Sequence, residues 1–301
     1  MIDDFTKSEI DKISHELLMQ SKALDVFPTP VDRIVKQANL VISSDVDLSQ
    51  IQHSFLDIIK EKSKNAFKKG IKKLRGALDR DEKIIYLDLS QLPNRQNFVK
   101  LHEVGHEVLK WQNQIVLNLD DDQTLSHETN EQFETEANYF ASNTIFQNGR
   151  FIKEMERFEL GIKAPMQLSK HFGSSVHASL RNYVVQSKNK CALLVLEPIK
   201  SSLINEAFCS KRNLFYSNSF LFDIGELELP ELFGYTWAFA KDYWFKKRYH
   251  EKGKITFLTK AQDKLNANYH FFNNGYNAFV FIFPIGETKK VKTKIYLSEK
   301  F

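Results

Sequence analysis

Leu101-His102-Glu103-Val104-Gly105-His106-Glu107 is the stretch from which the rest of the chain is read. It carries the pattern H-E-x-x-H, and Phe98, Leu101, Gly105, Val108 and Leu109 recur around it at three- and four-residue steps, as on a helix with one buried face. Pro93-Asn94, just upstream, suits the first turn of that helix. Positions i and i+4 of a helix project from one side, so His102 and His106 can both turn an imidazole nitrogen toward one tetrahedral metal ion. Glu103 lies beside them, placed to take a proton from a water held at that metal. Gly105 costs about 1 kcal/mol against alanine in a helix interior, which makes sense where a second segment must come close. The pattern alone also arises by chance, so the surroundings have to decide its meaning.

Length and composition set the frame. A chain of 301 residues, 42% hydrophobic and 27% charged, has the balance of a globular protein with room for two domains. The start, Met1-Ile2-Asp3-Asp4-Phe5, lacks the basic and apolar regions of a signal peptide. The longest apolar runs, residues 192–196 and 279–285, are too short to span a bilayer. The expectation is a cytoplasmic protein with no membrane partner. Cys191 and Cys209 form no C-x-x-C pair, so neither a disulfide framework nor a cysteine metal site is indicated. A net charge of +4 is too mild to argue for nucleic acid.

Upstream of the motif, apolar spacing predicts helices over 8–24, from Val31 onward, and over 51–69, with a basic face at 60–75 that reads as solvated. Residues 73–78 and 83–89 read as two strands joined by a turn at 79–82. Downstream, an acidic polar run from Asp120 precedes a helix with Phe133, Ala137, Phe140, Ala141 and Ile145 on its apolar stripe. Helices follow at 151–160, 165–172 and 174–186, then a buried strand at 191–196. The 165–186 pair has the outline of a helix-turn-helix, but two short helices joined by Gly173 pack a core more often than they read a groove. From 201 onward the chain is more basic, rich in aromatic residues and mostly strands, with one helix around 229–249 and an Asn273-Asn274-Gly275 hairpin. A boundary near 200 follows.

Two histidines leave a catalytic metal one protein ligand short. Glu134, on the edge of the apolar stripe, is the favoured third ligand, with Glu136 and Glu131 as rivals; Glu136 lies about 200° around the helix, toward the side read as polar. The pairing of Glu134 with Asn138 one turn later resembles the thermolysin-type E-x-x-x-D. Asn138 stands where that arrangement has an acid, and its amide oxygen can still accept an imidazole N–H.

At this point the chain resembles the ImmA/IrrE family of zinc metallopeptidases over about residues 25–190. The likeness rests on Pro30-Val31-Asp32 with the helix after it, on Lys83-Ile84-Ile85-Tyr86-Leu87, on the Asn97–His106 signature, and on Glu134-Thr135-Glu136-Ala137-Asn138-Tyr139-Phe140-Ala141, similar to the family's E-x-x-A-N-x-F-A. Ser142-Asn143-Thr144 stands where the family commonly has a proline. The resemblance implies an α+β, zincin-like peptidase domain, residues 1–199. It is followed by a strand-rich sensor or regulatory domain, 200–301, of GAF-like fold in some relatives. It further implies an endopeptidase that cleaves a protein substrate, a helix-turn-helix repressor, in response to a signal. His102, His106 and Glu134 would hold zinc, or manganese or iron in the same ligands; Glu103 would be the general base and Asn138 would support a ligand from behind. The alternative is a catalytically silent module controlling a partner by contact. The residue that helps the oxyanion stays open among His127, Tyr139, His171, His177 and Tyr183. An extended substrate could pair with the edge of the strand at 83–89.

Overall fold

The computed structural model of the chain describes residues 2–49, 76–112, 127–201 and 207–288. The helix expected at 51–69, the basic face at 60–75, the acidic run at 120–126 and a strand at 291–297 fall outside them. By its contacts the chain divides into two compact units, Met1–Phe151 with Ser169–Ser175, and Ile152–Leu168 with Val176–Phe301.

The first unit opens with α1 (Asp4–Gln20), whose first turn is capped by Asp3 accepting from the Thr6 N–H. Ile10, Leu17 and Leu18 bury its inner face. After α2 (Val31–Gln37) come β1 (Val41–Asp47), β2 (Gly76–Asp79) and β3 (Ile84–Leu87). They form a sheet of order β1-β3-β2, with β1 parallel and β2 antiparallel to β3. The strand expected to offer its edge at 83–89 is thus the central one. Among the described residues the edge nearest the H-E-x-x-H helix belongs to β2.

That helix, α3 (Pro93–Val108), buries Val99, Leu101 and Val104. It packs against α4 (His127–Ile145), which buries Phe133, Ala137, Phe140 and Ala141. Gly105 allows the approach: a Cβ there would lie 3.3 Å from the Cα of Ala137 and 3.1 Å from the Phe140 ring. Gly76 does the same for β2, since a Cβ would strike Val99 at 2.1 Å. The rear of α4 meets α1 through polar pairs: Tyr139 and Asn143 both donate to Asp11, and Ser14 is 2.9 Å from Thr144.

After α5 (Arg150–Met155), shorter than the helix expected at 151–160, α6 (Lys163–Phe172) supplies residues to both units. The second unit continues with α7 (Val176–Gln186), β4 (Ala192–Leu196), β5 (Lys200–Ser201), β6 (Ala207–Tyr216) and α8 (Asn218–Asp223). It then adds β7 (Leu232–Phe233), α9 (Ala238–Trp244), β8 (Tyr249–Leu258), β9 (Lys264–Asn273) and β10 (Ala278–Pro284). Its five long strands run β6-β4-β10-β9-β8, all antiparallel. Both faces are covered, which is why β4 and β10 read as unbroken apolar runs. Ala192, Leu194 and Leu196 join Phe220, Phe239 and Tyr243 of α8 and α9 in one core. Phe279 and Phe281 meet His177 and Tyr183 of α7 on the other face. α7 is therefore a packing helix.

One expectation changes here. The helix read over 229–249 is only Ala238–Trp244, because the segment before it makes the short strand β7 and the residues after it enter β8. By contacts the compact units part at 151/152, and β4 hydrogen-bonds to β6 and β10. Charge and aromatic content shift at 200, but pairing does not.

Candidate metal centre

His102 and His106 emerge from successive turns of α3 with their Nε2 atoms 3.0 Å apart. Glu134 faces them from α4, one carboxylate oxygen 3.4 Å from His102 Nε2 and the other 3.5 Å from His106 Nε2. Donor atoms at the corners of a tetrahedron around zinc, each about 2.0–2.1 Å from it, stand about 3.3–3.4 Å apart. Two neutral-capable nitrogens and a carboxylate at such separations are a donor set that fits a divalent metal. Among the described residues these three alone gather in this way. His102 is 1% exposed and His106 13%, whereas Glu134 is 37% exposed, so solvent reaches the cluster from the carboxylate side.

Behind His106 lies a chain of hydrogen bonds. Its Nδ1 is 2.9 Å from Oε1 of Gln112, a residue with no exposed surface. The Gln112 amide N–H groups go to the Phe133 carbonyl, 3.3 Å away, and to the Glu136 carboxylate at 2.9 Å. Trp111 Nε1 and Gln132 Nε2 also donate to Glu136, at 2.8 and 2.9 Å. Glu136 is thus buried and fully engaged away from the cluster, not on a polar face as its position around the helix suggested. Asn138, expected to steady an imidazole, makes no hydrogen bond to either histidine among the described residues, and His102 Nδ1 is buried without a partner.

Residues 58–182 match a protein family described as the IrrE N-terminal-like domain. The stretch that holds the cluster is thus IrrE-like in sequence. A solved structure, a Mycobacterium tuberculosis transcriptional regulator, is similar to it at 11% identity and a TM-score of 0.52, covering 93% of this chain and 76% of that one. At that identity the likeness speaks for the fold. No curated protein matches the chain.

Within this IrrE-like stretch, Glu103 is 5% exposed. Burial raises its carboxyl above the usual range, against the opposing pull of His102, His106 and Arg80. Glu134 behaves oppositely. Burial works to raise it, but hydrogen bonds and charge from both histidines hold it far below the ordinary carboxylate value. His106 is pressed down by burial, yet the carboxylates of Glu134 and Glu103 outweigh this and leave it raised. Two carboxyls on neighbouring helices are thus driven in opposite directions, the separation that acid–base work and ligation require. Arg80, at the turn after β2, donates to the His106 carbonyl at 3.4 Å; burial lowers its pKa while Glu107 and Glu103 oppose that shift.

The residues left open for the oxyanion are engaged elsewhere. Tyr139 donates to Asp11, His127 is 3.7 Å from Glu131, and His171 stacks on Phe27. His177 and Tyr183 pack within the second unit. Arg80, Trp111 and Gln112 were the residues missed. Trp111-Gln112, just past the end of α3, is the one sequence signal that could have found the last two.

Proposed function

We propose that the chain is a cytoplasmic zinc-dependent endopeptidase that cleaves a helix-turn-helix transcriptional repressor. The observation that carries this reading is the convergence of His102, His106 and Glu134 on one point beside a buried Glu103. A zinc ion held by those three residues supplies Lewis acidity toward the scissile carbonyl and toward water. Glu103, whose pKa is raised by burial, accepts the proton of the attacking water and passes it to the departing amine. The edge of β2 offers backbone groups to an extended substrate, and Gly76 brings that strand to the Glu103 side chain, where a Cβ would stand 3.3 Å from Oε1. Regulation is assigned to the strand-rich residues 200–301, together with the β4 strand they enclose.

Metal analysis and one substitution test this. Alanine at His102, His106 or Glu134 should take zinc well below one per chain. Glu103→Gln should keep zinc while slowing cleavage of a helix-turn-helix repressor substrate by about 10²–10⁴-fold. Zinc retained by the Glu134→Ala protein but lost from Glu136→Ala would overturn the ligand assignment. Full zinc with no cleavage by the wild type would favour control of a partner by contact.

A further inference from the structure

We propose that Gln112 is a positioning residue for the metal centre, fixing His106 in the tautomer that carries its proton on Nδ1, so that the Nε2 lone pair faces His102 and Glu134 before any metal arrives. The inference deepens the metallopeptidase reading and rests on it for its purpose, though not for its geometry. The amide of Gln112 has only one orientation that its surroundings permit. Its nitrogen meets two acceptors, the Glu136 carboxylate and the Phe133 carbonyl, at 2.9 and 3.3 Å. Turning the amide over would set its oxygen against both of those oxygens and leave buried acceptors unmatched, at a cost of about 1–3 kcal/mol for each such group. The oxygen therefore faces His106 Nδ1, at 2.9 Å, and an oxygen there can only accept. In the neutral imidazole the proton must sit on Nδ1.

Glu136 is what makes the arrangement firm. It is held in turn by Trp111, just past the end of α3, and by Gln132 from its own helix. The orientation of one ligand is thus set jointly by α4 and by the short segment that follows α3. Among the described residues no comparable partner meets His102. Its Nδ1 is buried and unpaired, and its Nε2 lies 3.0 Å from the His106 Nε2. With a lone pair on His106 facing it, His102 supplies the hydrogen of that contact and keeps its own proton on Nε2. The two ligands are therefore unequal in the metal-free protein: His106 is preset for ligation and His102 is not.

Long-range ¹H–¹⁵N correlation of the imidazoles in the full, metal-free chain, at alkaline pH where they are neutral, reads this directly. The expected pattern is Nδ1–H for His106 and Nε2–H for His102, assigned through His102→Gln and His106→Gln. Two variants then separate positioning from general support. Gln112→Leu removes the acceptor and should weaken zinc binding by about 10–100-fold in chelator competition, while the double exchange Gln112→Glu with Glu136→Gln keeps an oxygen toward Nδ1–H, moves the donor to position 136, and should recover most of that affinity. A merely structural role would move the two variants together.

An Nε2–H signature for His106 in the wild type overturns the inference, as does equal zinc affinity in the wild type and both variants. If Gln112→Leu does not fold, the wild-type spectrum still decides. If the wild type binds no zinc yet His106 shows Nδ1–H, the metallopeptidase reading fails and the positioning of His106 by Gln112 stands.

Discussion

Gly105→Ala tests whether α3 and α4 are held as close as the centre requires. A Cβ at this position would stand 3.1 Å from Phe140 Cδ1, 3.3 Å from Ala137 Cα and 3.4 Å from the Ala137 carbonyl oxygen. Carbon atoms rest about 3.5–4.0 Å apart, so the helices must part by a few tenths of an ångström. Phe140 is fully buried and cannot swing clear, and the Ala137 atoms are backbone, which no rotamer change relieves. Overpacking of this kind costs roughly 1–3 kcal/mol. Alanine in place of glycine within a helix recovers about 1 kcal/mol. The net expectation is a loss of about 0–2 kcal/mol, where an unconstrained helix glycine would give a gain. Zinc binding should suffer more, because ligand distances tolerate only about 0.2 Å and the ligands are divided between these two helices. A fall of roughly tenfold is expected. Urea denaturation of the metal-free protein and chelator competition for zinc measure the two effects. An alanine variant about 1 kcal/mol more stable than wild type, with unchanged zinc affinity, would refute the close approach.

Further outcomes follow from the second unit. Burial, together with the charges of Arg212 and Arg181, presses the His177 imidazole down to about 4 from its usual 6.5. The unfolded chain therefore binds this proton first as pH falls, so stability is complete above about pH 6.5 and is lost on acidification toward 4. His177→Phe, which keeps a ring against Phe279, should flatten that part of the melting-temperature profile, and an unchanged slope between pH 7 and 4.5 would contradict the assignment. A chain ending at Pro198 should aggregate on expression, because Leu193, Leu194, Val195 and Leu196, all without exposed surface, lose their partners on β6 and β10. The apolar burial forfeited is on the order of 6–12 kcal/mol, comparable with the whole stability of a domain. A monomeric, soluble product with full zinc would show that the first unit tolerates the orphaned strand.

The convergence of His102, His106 and Glu134 was legible because it is set locally. Helical spacing places His102 and His106 on one face, and Gly105 announced a close neighbour that proved to be Ala137 and Phe140 of the helix bearing Glu134. What lay behind the ligands was not legible. Glu136 and Gln112 are polar residues buried for one another's sake, and periodicity assigns any polar residue to solvent. Periodicity is equally silent on the far side of α4, where Tyr139, Asn143 and Thr144 meet Asp11 and Ser14 of α1. Edge and centre in a sheet are equally hidden: β3 has the composition of either, and only its pairing with both β1 and β2 makes it central. Composition varies residue by residue, while a sheet gathers strands from distant parts of the sequence, as β4 does with β6 and β10.

α6 has a consequence for how this protein could be taken apart. Its first residues, through Leu168, count with the second unit, and those from Ser169 with the first, so the backbone passes between units after residues 151, 168 and 175. No single nick by a protease, and no single fusion point in a gene, can deliver either unit whole. Exchanging the strand-rich unit for another would need three junctions, one of them inside a helix. The two units are threaded through each other's sequence, and the chain must be inherited, made and degraded as one piece.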